Sequence, residues 1–213
     1  MTDKTTPTEL DAKSAEQLKA ERHKARQQRV KEGVDAKIAR ATEEKGILLV
    51  LTGNGKGKST SGFGTVARAV GHGKKAAVVQ FIKGNWECGE RTLLEGAGVE
   101  FHVMGTGFTW ETQDREKDTA AAVKAWEATE KLLQDDSIDL VMLDELTYMV
   151  SYHYLEVDRV IEALKKRPSM QHVIVTGRAC HRAIVELADT VSEVVPIKLA
   201  FVNGIKAQPG FDY

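Results

Sequence analysis

The chain has 213 residues, of which 42% are hydrophobic and 29% charged, with a formal net charge of -1 and a pI of about 6.6. That suits one globular core with an appendage. The near-neutral balance argues against the broad basic field of a nucleic-acid-binding surface, and no apolar run is long enough to span a bilayer.

The N-terminus lacks the apolar core of a secretory signal. Two cysteines, Cys88 and Cys180, form no metal-binding spacing, so a reducing cytoplasm is the expected setting. Residues 1–8 are polar and read as an unstructured start. Glu9–Lys45 is rich in helix-forming Lys, Arg, Glu, Gln and Ala, and residues 1–45 form a charged arm, partly helical or disordered. Its apolar stripe is thin, with Leu18 and then Val30, Val34 and Ile38, too little to hold a helix by its own burial. Arg22, Lys24, Arg26, Arg29 and Lys31 make a local basic cluster. Two readings stand side by side. One is a solvated, frayed helix; the other is an arm that folds over an anionic site or a second subunit.

The globular part, 46–213, opens on Ile47–Thr52, an apolar run expected as the first strand, followed by the turn GNGKGK. Gly53, Gly55 and Gly57 permit backbone angles that a side chain forbids. They allow successive N–H groups to turn toward an anion at the start of a helix. Lys58, Ser59 and Thr60 close the turn. Strand, glycine-rich loop, lysine, hydroxyl and helix in this order form a phosphate-binding P-loop. The usual spacing puts its first glycine one residue earlier, where this chain has Thr52. The loop is therefore one residue tighter, and it carries an extra lysine, Lys56. A glycine-rich turn without a ligand is the bland alternative.

A helix is expected from Lys58 to Val70, ended by the GHGK run at Gly71–Lys74. Ala76–Ile82 reads as a buried strand, Lys83–Arg91 as a loop and Val99–Met104 as a third strand. Gly105–Arg115 then carries Phe108 and Trp110 two apart. They are either core residues at the fold's edge or the lining of a pocket. Asp114–Leu133 is a helix with Ala122, Trp126, Thr129 and Leu133 on one face. Asp139–Leu143 is an apolar strand delivering Asp144 and Glu145 to its C-terminal end, the layout of a Walker B element. In an open parallel sheet that end is the ligand side.

Val157–Leu164 is helical and is stopped by Pro168. His172–Thr176 is a strand followed by Gly177 and Arg178, the latter on the ligand side or simply an exposed loop arginine. His181–Leu187 is a short helix and Val191–Val195 a last strand. Alternating strands and helices imply an α/β fold of the P-loop NTPase, RecA-like kind. It has three layers, with a mainly parallel sheet, helices on both faces and the N-terminal helical arm. Right-handed crossovers bring Gly53–Ser59, Asp144–Glu145 and Gly177–Arg178 to one edge. A nucleoside triphosphate with magnesium is the natural occupant. The pattern alone leaves open an ATPase or kinase, or a RecA-like nucleic-acid-binding module.

One family resemblance separates these. TGNGKGKST, ARAVGHGK at Ala67–Lys74, VVQFIKG at Val78–Gly84, GTGFTWETQDRE at Gly105–Glu116, LDELTYMV at Leu143–Val150, TGRACHR at Thr176–Arg182 and the closing KAQPGFDY resemble the P-loop type of corrinoid adenosyltransferase. This is the cob(I)yrinic acid a,c-diamide adenosyltransferase family. The likeness covers nearly everything from Val30 to Tyr213. It implies transfer of the 5′-deoxyadenosyl group of ATP to the cobalt(I) of a corrinoid, with release of triphosphate, in adenosylcobalamin biosynthesis and salvage. It implies that Gly53, Asn54, Gly55, Lys56, Gly57, Lys58, Ser59 and Thr60 hold ATP. Ser59 and Glu145 would ligate Mg2+ (or Mn2+), with Asp144 as a ligand or just behind. Phe108 and Trp110 would displace the lower axial ligand of cob(II)alamin, and Arg68 and Arg178 would hold phosphate or corrinoid groups. The implied partners are a second copy in a homodimer, whose arm covers the corrinoid, and an electron donor such as flavodoxin or a reductase. Neither nucleic acid nor membrane is implied.

Overall fold

A computed structural model describes residues 9–82, 88–105 and 114–212. The chain divides into two compact units, Met1–Glu44 and Lys45–Tyr213. The first is one long helix, α1 (Glu9–Arg40). Its surface is laced by pairs four residues apart, Lys31 with Asp35 at 2.6 Å and Gln28 with Glu32 at 2.9 Å, the spacing that aligns side chains on one helical face. Leu18, Val30, Val34 and Ile38 are exposed within this unit.

The second unit is built on six parallel strands: β1 (Leu48–Thr52), β2 (Ala76–Gln80), β3 (Glu100–Val103), β4 (Leu140–Asp144), β5 (His172–Thr176) and β6 (Thr190–Glu193). Their order across the sheet is β3-β2-β4-β5-β1-β6. The helices are α2 (Lys58–Gly71), α3 (Gly89–Gly96), α4 (Arg115–Gln134), α5 (Leu146–Ser151), α6 (Val157–Lys166) and α7 (Arg182–Leu187).

Strand periodicity divides the sheet's side chains between two cores. Leu48, Val50, Val141, Leu143, Val173 and Val175 point to one face, where they meet Trp126, Leu133, Met149, Leu164 and Ile184. Leu51, Val78, Leu140, Met142 and Ile174 point to the other, against Phe63, Val66 and Leu94. Both faces being covered explains why the inner strands are nearly continuous apolar runs. The expected α4 face, Ala122, Trp126, Thr129 and Leu133, is fully buried.

Helix ends follow from local chemistry. After α2, Gly73 takes φ 73° while its N–H donates to the Val70 carbonyl and that of Lys74 to Ala69. This is the paired C-terminal closure that a left-handed residue permits. After α3, Gly98 (φ 87°) does the same, with Val99 donating to Leu94. At the start of α4 the Asp114 carboxylate caps the Lys117 N–H.

Two short helices were not expected from the pattern. Part of α3 falls in what reads as a loop. It is two turns long and buries only Leu94, so no apolar period marks it. The other, α5, buries Leu146, Thr147, Met149 and Val150 on several sides and so has no stripe either.

Candidate active site

The P-loop is shaped by the strand beside it. Gly53 (φ 100°) and Gly57 (φ 116°) occupy the left-handed region, where a side chain would be strained. The Val194 N–H, just past β6, donates to the Thr52 carbonyl at 2.8 Å, and the Gly55 N–H donates to the Val194 carbonyl at 2.7 Å. A Cβ on Gly55 would lie 2.7 Å from that same carbonyl oxygen. Gly55 is therefore required by the close approach of β6, and its N–H is already engaged rather than aimed at an anion.

Lys58 opens α2 and is only 7% exposed. Its ammonium donates to the Gly55 carbonyl at 2.9 Å, which braces the loop from inside. Burial pushes its pKa below the ordinary lysine value; Glu145 opposes the shift, Arg178 adds to it and Asp144 opposes it. These four charged groups thus belong to one locale, although they come from three different strand ends. Those strands, β4, β5 and β1, are consecutive in the sheet. Ser59 is half-buried, whereas Asn54, Lys56 and Thr60 are exposed.

Asp144 is completely buried. One oxygen accepts from the Thr176 hydroxyl at 2.8 Å and the other from the Gln80 amide at 3.2 Å. The same Thr176 oxygen accepts the Glu145 N–H at 2.9 Å. Thr176 on β5 therefore holds the Asp144 carboxylate that ends β4 and the backbone of Glu145 that follows it. Glu145 stands at φ 61° and turns the chain directly into α5. Next to it, Gly177 (φ 137°) lies so close that a Cβ would come 2.0 Å from the Thr147 hydroxyl and 3.2 Å from a Glu145 carboxylate oxygen. The Thr147 hydroxyl in turn donates to the Arg178 carbonyl at 2.7 Å.

Arg68 is not brought to this locale. It lies in the last turn of α2, exposed, ten residues and hence about 15 Å along the helix from Lys58. Phe108 and Trp110 lie outside the described residues.

Four positioning residues escaped the sequence reading: Gln80, Thr147, Thr176 and Val194. Gln80 and Thr176, polar side chains ending largely apolar strands, were the visible signals.

Magnesium fits the donor set. A serine hydroxyl and carboxylates provide hard oxygen ligands. Among the described residues no group of three or more His, Cys, Asp or Glu side chains gathers to form a protein cage. Among the described residues no helix is long and apolar enough to cross a membrane.

Comparison with known proteins agrees with this geometry. Residues 44–213 match the family model described as ATP:corrinoid adenosyltransferase BtuR/CobO/CobP, and residues 8–38 match a second, cob(I)alamin adenosyltransferase N terminal. The chain is 63% identical over 193 residues to a corrinoid adenosyltransferase of Escherichia coli (strain K12), covering 91% of this chain and 98% of that protein. It is 62% identical, over the same shares, to the corrinoid adenosyltransferase CobA of Salmonella typhimurium. To one of Pseudomonas aeruginosa it is 52% identical, covering 92% of this chain and 97% of that one. With the phosphate loop, the acidic strand end and these matches in agreement over most of its length, the chain belongs to the ATP:corrinoid adenosyltransferase family.

Proposed function

We propose that the adenosyl donor is ATP, held by Gly53–Thr60, and that triphosphate leaves intact. The carrying observation is the buried Lys58 ammonium, braced on the loop by the Gly55 carbonyl, at the sheet edge where the adjacent strands β4, β5 and β1 end in Asp144 and Glu145, Arg178 and the loop itself. It uses one N–H on Gly55, which leaves two for phosphate oxygens.

Cobalt(I) of the corrinoid substrate is the nucleophile. Its electron pair forms the bond to C5′ of the ribose as the C5′–O bond breaks. The leaving triphosphate takes the pair from that bond, and the cobalt becomes formally trivalent. No proton moves, so the site requires no general base. It requires alignment of the two substrates and stabilisation of charge gathering on the departing oxygen. Lys58 and the N-terminus of α2 supply the latter.

Ser59 and Glu145 would hold a magnesium ion, for which manganese could substitute. Asp144, with both oxygens engaged by Thr176 and Gln80, would sit behind them and orient Glu145. Such an ion, when bound, neutralises phosphate charge. Arg178 would reach phosphate or the corrinoid. Phe108 and Trp110 would form the apolar wall that keeps a lower axial donor off cobalt and so eases reduction to cobalt(I). The residue 1–45 arm would cover the corrinoid, in a homodimer that draws its electrons from a flavodoxin or a reductase.

The test is one incubation with ATP, magnesium and chemically reduced cobalamin, followed by identification of the phosphate product. Triphosphate in step with adenosylcobalamin is expected. ADP with orthophosphate, or turnover without corrinoid, would overturn the reading.

A further inference from the structure

The tight loop's extra lysine, Lys56, is held by the end of the chain. Its ammonium lies 2.9 Å from a carboxylate oxygen of Asp212 and 5.7 Å from the centroid of the Phe211 ring. The other Asp212 oxygen accepts the Gln208 N–H at 3.0 Å, and the N–H of Asp212 donates to the Gln208 carbonyl at 2.8 Å. Gly210, at φ 74°, closes the turn. The carboxylate is thus fixed by its own turn before it meets Lys56. Its pKa is held below the ordinary aspartate range, first by the hydrogen bond from Lys56 and then by the Gln208 N–H. Phe211 is 77% exposed and packs into no core. An ammonium over its ring face is an interaction such a ring can offer in water.

We infer that the Gln208–Asp212 turn is part of the triphosphate site, with Asp212 acting as a positioning residue for Lys56. This deepens the function proposed above and rests on it. A free lysine on a loop tip loses rotamer freedom when it engages a phosphate. Holding Lys56 between a carboxylate and a ring face removes part of that freedom in advance. Asp212 occupies one N–H of the ammonium, and two remain for ligand oxygens. The loop tip is then tethered at adjacent residues, Gly55 by Val194 and Lys56 by Asp212. Both tethers come from chain beyond β5.

The test compares wild type, Asp212→Asn, Asp212→Glu, Lys56→Ala, Lys58→Ala and the Lys56→Ala/Asp212→Asn pair. The readouts are ATP affinity and the KM for ATP and kcat at saturating cob(I)alamin. An exposed pair is modest, so Asp212→Asn should raise the ATP KM by roughly three- to fivefold, with kcat within about twofold of wild type. Asp212→Glu should restore most of the loss, and Asp212→Asn should have no further effect once Lys56 is alanine. An unchanged KM in Asp212→Asn overturns the inference, as does an equal effect in the Lys56→Ala background. A lowered KM overturns it too, since the carboxylate would then be competing with phosphate. If Lys58→Ala binds ATP as wild type does, the loop reading itself fails. If Lys58→Ala loses ATP while Asp212→Asn does not, only the turn's role fails.

Discussion

Lys58 combines a cost with the use proposed for it. Its ammonium is held at 7% exposure, where burial disfavours the charged form. In that setting an oriented charge acts on a departing phosphate more strongly than it could in water. Lys58→Ala should lower kcat/KM for adenosylation by at least about 10²-fold, the scale seen when one preorganised contact is lost. Stability should respond in the opposite sense. Because the folded pKa is depressed, between that value and the ordinary 10.5 the unfolded chain keeps a proton that the folded one has released. Stability therefore gains with rising pH across that window, and the full cost of the buried charge is carried below it. Denaturation measured against pH should show this gain in wild type and lose it in Lys58→Ala.

Cys180 offers a second check at the same scale. Burial pushes its thiol up to about 11 from 9.0. A rise of that size means about a hundredfold less thiolate near neutral pH. Iodoacetamide labelling, followed by mass spectrometry of the Cys180 peptide, should run about that much slower in the native protein than in urea.

At the scale of elements, the phosphate loop is a product of β1, α2 and β6 together. Gly62 in α2 shows the closeness involved, since a Cβ there would come 2.6 Å from the Met142 methyl on β4. Gly55→Ala would drive a methyl into the Val194 carbonyl, a backbone atom that cannot swing aside. Overpacking of this kind costs about 1–3 kcal/mol. The thermal midpoint should fall by several degrees, and ATP affinity should fall with it. Gly64→Ala, within α2 and with nothing within 4 Å of the added methyl, should leave the midpoint unchanged or raise it. Equal losses in the two variants would show that any glycine-to-alanine change in this region, not the β6 contact, is responsible.

The same scale explains what could be read from the sequence. The six strands were legible because apolar runs between turn signals are local. So were the loop lysine and the Asp144–Glu145 pair, which are encoded by neighbours. Thr176 acts on Asp144 across 32 positions, and Val194 acts on Gly55 across a far longer span. Spacing along a chain says nothing about such pairs until the strand order is known. The left-handed turn at Glu145 was hidden as well, since no glycine marks it.

For the whole molecule, the first unit and the second solve different problems. Every residue of the two cores lies at or after Leu48. The 32-residue α1 instead relies on its length and on side-chain pairs along its surface, the Lys31–Asp35 ion pair and the Gln28–Glu32 hydrogen bond among them, since helices gain from propagation once nucleated. Removing residues 1–44 should therefore leave the thermal midpoint of the remainder within a few degrees, because all the described core residues remain. Residues 8–38 match a family model of their own, described as cob(I)alamin adenosyltransferase N terminal. If the arm covers the corrinoid, the truncated enzyme should bind ATP within about twofold of the full chain while corrinoid affinity falls by roughly tenfold or more, a loss near 1.4 kcal/mol. Calorimetric titration of each substrate separates the two. A matched loss for ATP and corrinoid, with a lowered midpoint, would mean that the arm supports the fold. Unchanged affinity for both would return it to a solvated helix with no part in the site.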